Sequence, residues 1–239
     1  MTTAPSHRRE LIILAGLMVL AVLPFAARTF AFQPFSIPSG SMQPTLLIGD
    51  YIFVSKSAYG VTRYSLPFSP KLFSGRIFAS EPQRGDVAVF RLPTDDSVDY
   101  IFRVVGLPGD RVQMIDGVLN INGVPVKRER MEDFVDTESG RSVRIKRWRE
   151  TLPNGVSYDT LDMMDRGYYD NTPVYNVPPG RYFMMGDNRD NATDSRVMAR
   201  VGYVPFENLV GRAAMVFWSV DSSSGEPNIR SERIGKAVH

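Results

Sequence analysis

Two serines flank a glycine in the stretch Ile37-Pro38-Ser39-Gly40-Ser41-Met42-Gln43-Pro44-Thr45-Leu46. Proline fixes φ and glycine opens backbone conformations closed to other residues, so this composition suits a turn that presents a side chain. A serine hydroxyl becomes a useful nucleophile only when a neighbouring group takes its proton. The inventory of such groups is short. There is no cysteine, which excludes disulfides, thiolate chemistry and cysteine metal sites. The only histidines are His7 and His239, at the two ends. A histidine triad or histidine metal cluster inside the folded body is thereby excluded, and neither a metal nor a cofactor is expected. A second polar stretch, GDNRDNATDSR at Gly186–Arg196, reads either as a surface turn or as a paired network. In the network reading Asp194 and Arg196, with Asp187 and Arg189, fix the loop.

These segments need elements to hold them. At 239 residues the chain is long enough for a sizeable core and for one or two domains. A net charge of +2 is too small to predict nucleic-acid binding from electrostatics. From Leu11 to Ala27 no charge occurs (LIILAGLMVLAVLPFAA). As a helix this run rises ~26 Å, enough for a ~30 Å hydrocarbon core with help from Phe30 and Phe32. Arg8 and Arg9 favour a cytoplasmic N-terminus, so a single-pass anchor places the rest of the chain on the outer side. The alternatives are a buried core helix and a cleaved signal peptide, and against the latter stands the lack of Ala-x-Ala near Ala26 and Ala27. Ser41 follows Ala27 by 14 residues, a linker reaching under roughly 50 Å, which keeps the serine close to the bilayer.

Beyond the serine stretch the chain reads as β. Tyr51–Ser55, Asp86–Leu92, Asp99–Val105, Arg111–Ile115, Arg181–Met185, Gly202–Val204 and Arg212–Val220 are short runs rich in Val, Ile and aromatics. Asp116-Gly117 and Asn122-Gly123 are two-residue hairpin signals on either side of Val118–Ile121. Residues 65–78 form an aromatic, Pro-rich loop, packed on the core or dipping into the lipid interface. The expected organisation is a cytoplasmic terminus at 1–10, an anchor and linker at 11–33 and a β core of 34–123 plus 181–220. An inserted smaller β region follows at 124–180, and a polar, loosely held tail at 221–239. The fold class is mainly β, an antiparallel-sheet core preceded by one transmembrane helix. The basic run around Trp148 reads as a solvated strand near anionic headgroups rather than a nucleic-acid site.

Three separated segments together resemble the type I signal peptidases, membrane-anchored serine endopeptidases. They are PSGSMQPTL with GDYIFVSK at Pro38–Lys56, RGDVAVF with DYIFRVVGLPGD at Arg84–Phe90 and Asp99–Asp110, and GDNRDNATDSR at Gly186–Arg196. Their order, the apolar run and the charged insert also match. The resemblance implies a protein of the bacterial inner membrane that meets signal peptides of exported preproteins and the lipid bilayer; the oligomeric state stays open. It implies Ser41 as the nucleophile, with the Ser39 hydroxyl and the Ser41 N–H as oxyanion donors. Ile37, Pro38, Met42, Tyr100 and Ile101 would line small pockets for the −1 and −3 side chains, the family's Ala-x-Ala preference. An extended substrate would pair with the strands around Ser36–Pro38 and Asp99–Ile101.

The activating group departs from the family pattern. The family's general base is a lysine kept neutral by burial, placed just before the arginine of the second segment, and that position is Phe102. Arg103 cannot replace it, because guanidinium stays charged. The serine that holds the lysine amine in the family corresponds to Ala192. An apolar residue at both positions reads as a site rebuilt without a lysine, since stranding one polar partner costs roughly 1–3 kcal/mol. Without a base, residual catalysis is on the order of 10³–10⁴ over water. Substitutes are Lys56 or Lys71, and more remotely His7 or His239. The readings are a signal peptidase active through another base, or a pseudo-peptidase that binds signal peptides or a partner protease. A relative of soluble self-cleaving repressors fits less well, given the anchor.

Overall fold

The structure is a computed structural model describing residues 10–20, 32–65, 69–70, 74–137, 142–223 and 225–239. Its strands in chain order are β1 (Phe32–Ser36), β2 (Asp50–Ser55), β3 (Val87–Leu92), β4 (Asp95–Gly106), β5 (Arg111–Ile115) and β6 (Val118–Ile121). They continue with β7 (Val124–Pro125), β8 (Lys127–Arg130), β9 (Phe134–Asp136), β10 (Val143–Thr151) and β11 (Ser157–Asp162). The last are β12 (Tyr175–Asn176), β13 (Arg181–Met185), β14 (Val204–Pro205), β15 (Leu209–Asp221) and β16 (Asn228–Ile229). The main sheet runs β1-β2-β15-β3-β4-β13-β14, with β16 on β15, and all its pairings are antiparallel. The mainly-β antiparallel reading holds.

Local chemistry explains most of this. In β2, Ile52 and Val54 are buried while Tyr51 is exposed, the period-2 alternation of a strand with one face on a core. β3 is buried on both faces over its first four residues, as the central position of a sheet demands. β5 and β6 form at the expected bounds. Asp116 and Gly117 have φ of 47° and 72°, and Asn122 and Gly123 have 55° and 81°. Positive φ at both central positions is what a tight hairpin with matching twist requires. The strand expected at Gly202–Val204 begins instead at Val204, because Gly202 lies in the left-handed region at φ 57°. β4 starts four residues earlier than its apolar pattern, since Leu92 pairs with Asp95 across a tight turn; backbone pairing decides that end.

Two cores result. One, including Ile52, Val54, Phe90, Phe102, Val104 and Val216, underlies the main sheet. The other gathers Val112, Met114, Leu119, Leu152, Tyr158 and Tyr175 under two smaller sheets, β12-β5-β6-β7 and β11-β10-β8 with β9 on β10. The hairpin Arg111–Ile121 thus pairs through β12 with the inserted region rather than with the main sheet.

The expected loosely held tail is corrected by the structure. Arg233 is buried and binds Asp50 through Nε and Nη2, at 2.9 and 2.5 Å. Asp50 is fully buried and also accepts from Ser219 Oγ at 2.7 Å and Leu47 N at 2.8 Å. A buried carboxylate needs such partners, and the tail supplies one. Residues 10–20 are helical with every side chain exposed. No helix among the described residues is long and apolar enough to cross a membrane. The rest of the expected anchor, residues 21–27, lies outside the described residues, as do Arg8, Arg9 and Lys71.

Candidate functional site

Three elements converge. The first is the turn after β1, in which Gly40–Met42 forms a single 3-10 turn. Its backbone closes through Gln43 N to Gly40 O at 3.1 Å and Leu46 N to Met42 O at 2.9 Å. The second is the middle of β4, and the third is the loop after β13. The third holds the first: Asn188 donates its backbone N–H to Ser41 O at 3.1 Å and its side-chain amide to Gly40 O at 3.2 Å. The serine turn is therefore positioned by a residue 147 places downstream.

The loop is held by buried ion pairs, partly as expected. Asp194 binds Arg196 at 2.8 Å and accepts from Gly186 N at 3.0 Å. Asp187 and Arg189 turn elsewhere. Asp187 forms a two-point pair with Arg103, at 2.8 and 2.7 Å, and accepts from Thr45 Oγ1 at 2.5 Å. Arg189 makes a two-point pair with Glu150 of the inserted sheet, at 3.0 and 2.6 Å, and Tyr158 OH completes it at 3.0 Å. Burial opposes the charges of Arg103 and Arg189, but the facing carboxylates of Asp187 and Glu150 outweigh it and hold both above the ordinary arginine range. Sequence reading missed Glu150, Tyr158 and Asn188. The two insert residues carried no local signal, because their partners are distant in the chain.

Ser41 opens onto a cleft of about 490 Å³. Of the residues singled out in the sequence, Ile37, Pro38, Ser39, Ser41, Tyr100, Ile101 and Phe102 line it. Met42 does not; it is fully buried in the main core. Asn191 and Thr193 complete the lining from the loop, though neither was singled out. Ser39 Oγ lies 3.3 Å from Ser41 Oγ. β13 pairs with β4 only at Arg103, Val104 and Gly106, so the edge of β4 beside Tyr100 and Ile101 has no partner strand among the described residues. β1 likewise ends the main sheet. Unpaired edges lining a cleft can accept an extended peptide by backbone hydrogen bonding.

Next to Ser41 the wall is apolar. Phe102 is 3% exposed, with its ring 5.8 Å from that of Tyr100 and 6.1 Å from that of Phe90. Ala192 is 7% exposed. Both meet at Gly186: a Cβ there would lie 2.4 Å from Ala192 Cβ, 2.7 Å from Ser41 O and 3.3 Å from the Phe102 ring. Among the described residues the cleft lining carries no lysine or histidine; its ionisable side chains are Asp99 and Tyr100. Burial raises the Asp99 carboxyl above its ordinary value, partly offset by Arg91 and Lys56. Lys56 is buried and donates its amine to Ser65 O at 2.8 Å. No group of three or more metal-ligating side chains occurs among the described residues.

The crowding at Gly186 makes a prediction. Gly186→Ala must push the serine turn or the Ala192 segment aside, at a cost of about 1–3 kcal/mol. A thermal melt and titration of the cleft with a labelled peptide should show lower stability and roughly tenfold weaker binding. Unchanged binding would mean the three segments are not packed as described.

Comparisons with known proteins show what the chain is similar to. A family model described as signal peptidase, peptidase S26, matches residues 8–218. The chain is 41% identical over 213 residues to the signal peptidase I of Rickettsia typhi, covering 86% of this chain and 79% of that one. It is 44% identical over 200 residues to that of Rickettsia canadensis, covering 80% and 74%. A solved signal peptidase I from Enterococcus faecalis is 28% identical, covering 56% of this chain and 97% of its own, with a TM-score of 0.33.

Proposed function

The chain belongs to the signal peptidase family, peptidase S26, and from that premise we propose that its cleft takes the end of a signal peptide as an extended strand. It is a signal peptidase I family protein and by family a serine endopeptidase. The observation that carries the reading is the edge of β4, unpaired among the described residues, beside the turn that presents Ser41. A peptide laid on that edge sets a carbonyl against Ser41 Oγ. Ser39 Oγ and the Ser41 N–H are the oxyanion donors, favouring charge that develops only in the transition state. Ile37, Pro38, Tyr100 and Ile101 give shallow apolar walls that accept small side chains at −1 and −3.

Membrane association has support from two features. The helical residues 10–20 expose Leu11, Ile12, Ile13, Leu14 and Leu17 to their surroundings, and an all-round apolar helix needs lipid or protein cover. On the main sheet Phe32, Phe53, Phe217 and Tyr51 form a row of ring contacts, with Phe32 and Tyr51 exposed. Aromatic side chains of this kind favour the bilayer interface. A single-pass inner-membrane protein with its body outside fits both.

A second reading starts from the lysine-free wall of Phe102 and Ala192 beside Ser41. In that reading the protein holds signal peptides, or docks a partner protease, with little turnover. One experiment separates the readings. The full chain in detergent is titrated with a peptide carrying Ala at −3 and −1, with the same peptide carrying Phe at both, and cleavage is followed alongside Ser41→Ala. Both readings expect the Ala peptide to bind tighter. Cleavage by the unaltered chain but not by Ser41→Ala establishes turnover through another base; binding without cleavage establishes the second reading. Equal affinity for the two peptides removes both.

A further inference from the structure

We propose that a groove behind the serine turn, between the inserted sheet and the C-terminal residues, binds a phosphate group. The groove has a volume of about 580 Å³ and is lined by Thr45, Arg147, Arg149, Asp159, Arg233 and Lys236 among others. It shares no lining residue with the peptide cleft, and the inference does not rest on the proposed function.

Charge and donor geometry carry the assignment. Four cations line the groove. The carboxylates that pair with them are Asp159, 2.8 Å from Arg149 and 3.9 Å from Arg147, and Asp50, 2.5 Å from Arg233. The four cations outnumber these carboxylates, and Asp50 is shared with Arg230 at 3.9 Å, so positive charge is left for an anion to balance. Two of the cations have donors to spare. Arg147 binds the Glu132 carbonyl through Nε at 2.9 Å and reaches Asp159 only by its long contact. No described residue pairs with the Lys236 ammonium. Guanidinium and ammonium donors lining one groove match the several oxygens of a tetrahedral phosphate. The cations also stand on fixed elements. Glu150 ties β10 to the loop through Arg189, and Asp50 holds the segment bearing Arg233. Donors held by rigid elements lose less freedom when a ligand arrives.

The phosphate could belong to a lipid headgroup or be free, and the two share this chemistry. The test uses the full chain in detergent at low salt, titrated calorimetrically with inorganic phosphate and, separately, with a water-soluble phosphatidic acid bearing short acyl chains. The variants are Arg147→Gln with Lys236→Gln, and Arg200→Gln as an exposed control outside the groove. The expected result is binding by the unaltered chain, at least tenfold weaker binding by the double variant, and no change in the control. All three should melt at the same temperature, which shows that they are folded. Binding of both probes identifies a headgroup site, and binding of inorganic phosphate alone identifies a free-anion site; either supports the proposal. Absence of binding, or equal binding by the double variant, overturns it.

Discussion

Phe102→Lys combined with Ala192→Ser should raise peptide cleavage by about 10²–10⁴-fold over the unaltered chain, the usual worth of a positioned general base. Phe102 lies beside the serine turn and is nearly sealed from solvent, with Phe90 and Tyr100 around its ring. An amine introduced there loses solvation, which pushes its pKa below the ordinary lysine value of about 10.4. The neutral form is the one that accepts the Ser41 proton. Activity of the double variant should therefore rise with pH through that depressed pKa and then level, a limb absent from the unaltered chain. The two changes should exceed the sum of either alone, since the hydroxyl at 192 serves only to hold the amine. The measurement is initial rate against pH, with Ser41→Ala as the blank. If the unaltered chain already matches the double variant, the base lies elsewhere and the apolar wall has another role.

The second large effect belongs to Arg103. Its side chain is fully buried, paired at two points with Asp187 and bonded to Gly85 O at 2.7 Å, with its guanidinium 4.0 Å from the Tyr158 ring centre. Arg103→Met leaves the Asp187 carboxylate, itself 1% exposed, without its counter-charge. Breaking one side of such a pair costs about 3–5 kcal/mol. At about 2–4 °C per kcal/mol for a domain of this size, the melting temperature should fall by roughly 6–20 °C. Adding Asp187→Leu should recover much of the loss, because the stranded charge is removed with it. Thermal melts of the two single changes and the pair check this. If Arg103→Met melts as the unaltered chain does, the pair is not the clamp between β4 and the loop.

Much of the fold was legible because strand patterns and turn residues are local signals. Arg111–Ile115, Val118–Ile121 and Arg181–Met185 form where their β-branched and aromatic content places them, and Asp116-Gly117 turns as its chemistry demands. Boundaries were less legible where pairing overrode content, as at Asp95, or where one glycine took a left-handed conformation, as at Gly202. The segments bearing Ser39, Ser41, Tyr100, Ile101 and Phe102 were legible as a set, and the cleft brings those five together. Met42 was misplaced because an apolar residue beside a serine reads equally as pocket lining or as core.

By itself, then, the sequence determined the β character, the order of the three segments and the absence of an internal histidine or cysteine. Composition and neighbour chemistry suffice for such properties. The tertiary structure alone decided which charges meet. Glu150 and Arg189 are 39 residues apart, and Asp50 and Arg233 are 183 apart. Pairs at such separations leave no period or spacing in the chain. They exist because burying one charge requires that folding deliver its partner. The tertiary structure also left the edge of β4 beside Ser41 unpaired among the described residues, and closed Phe102, Ala192 and Gly186 around that serine.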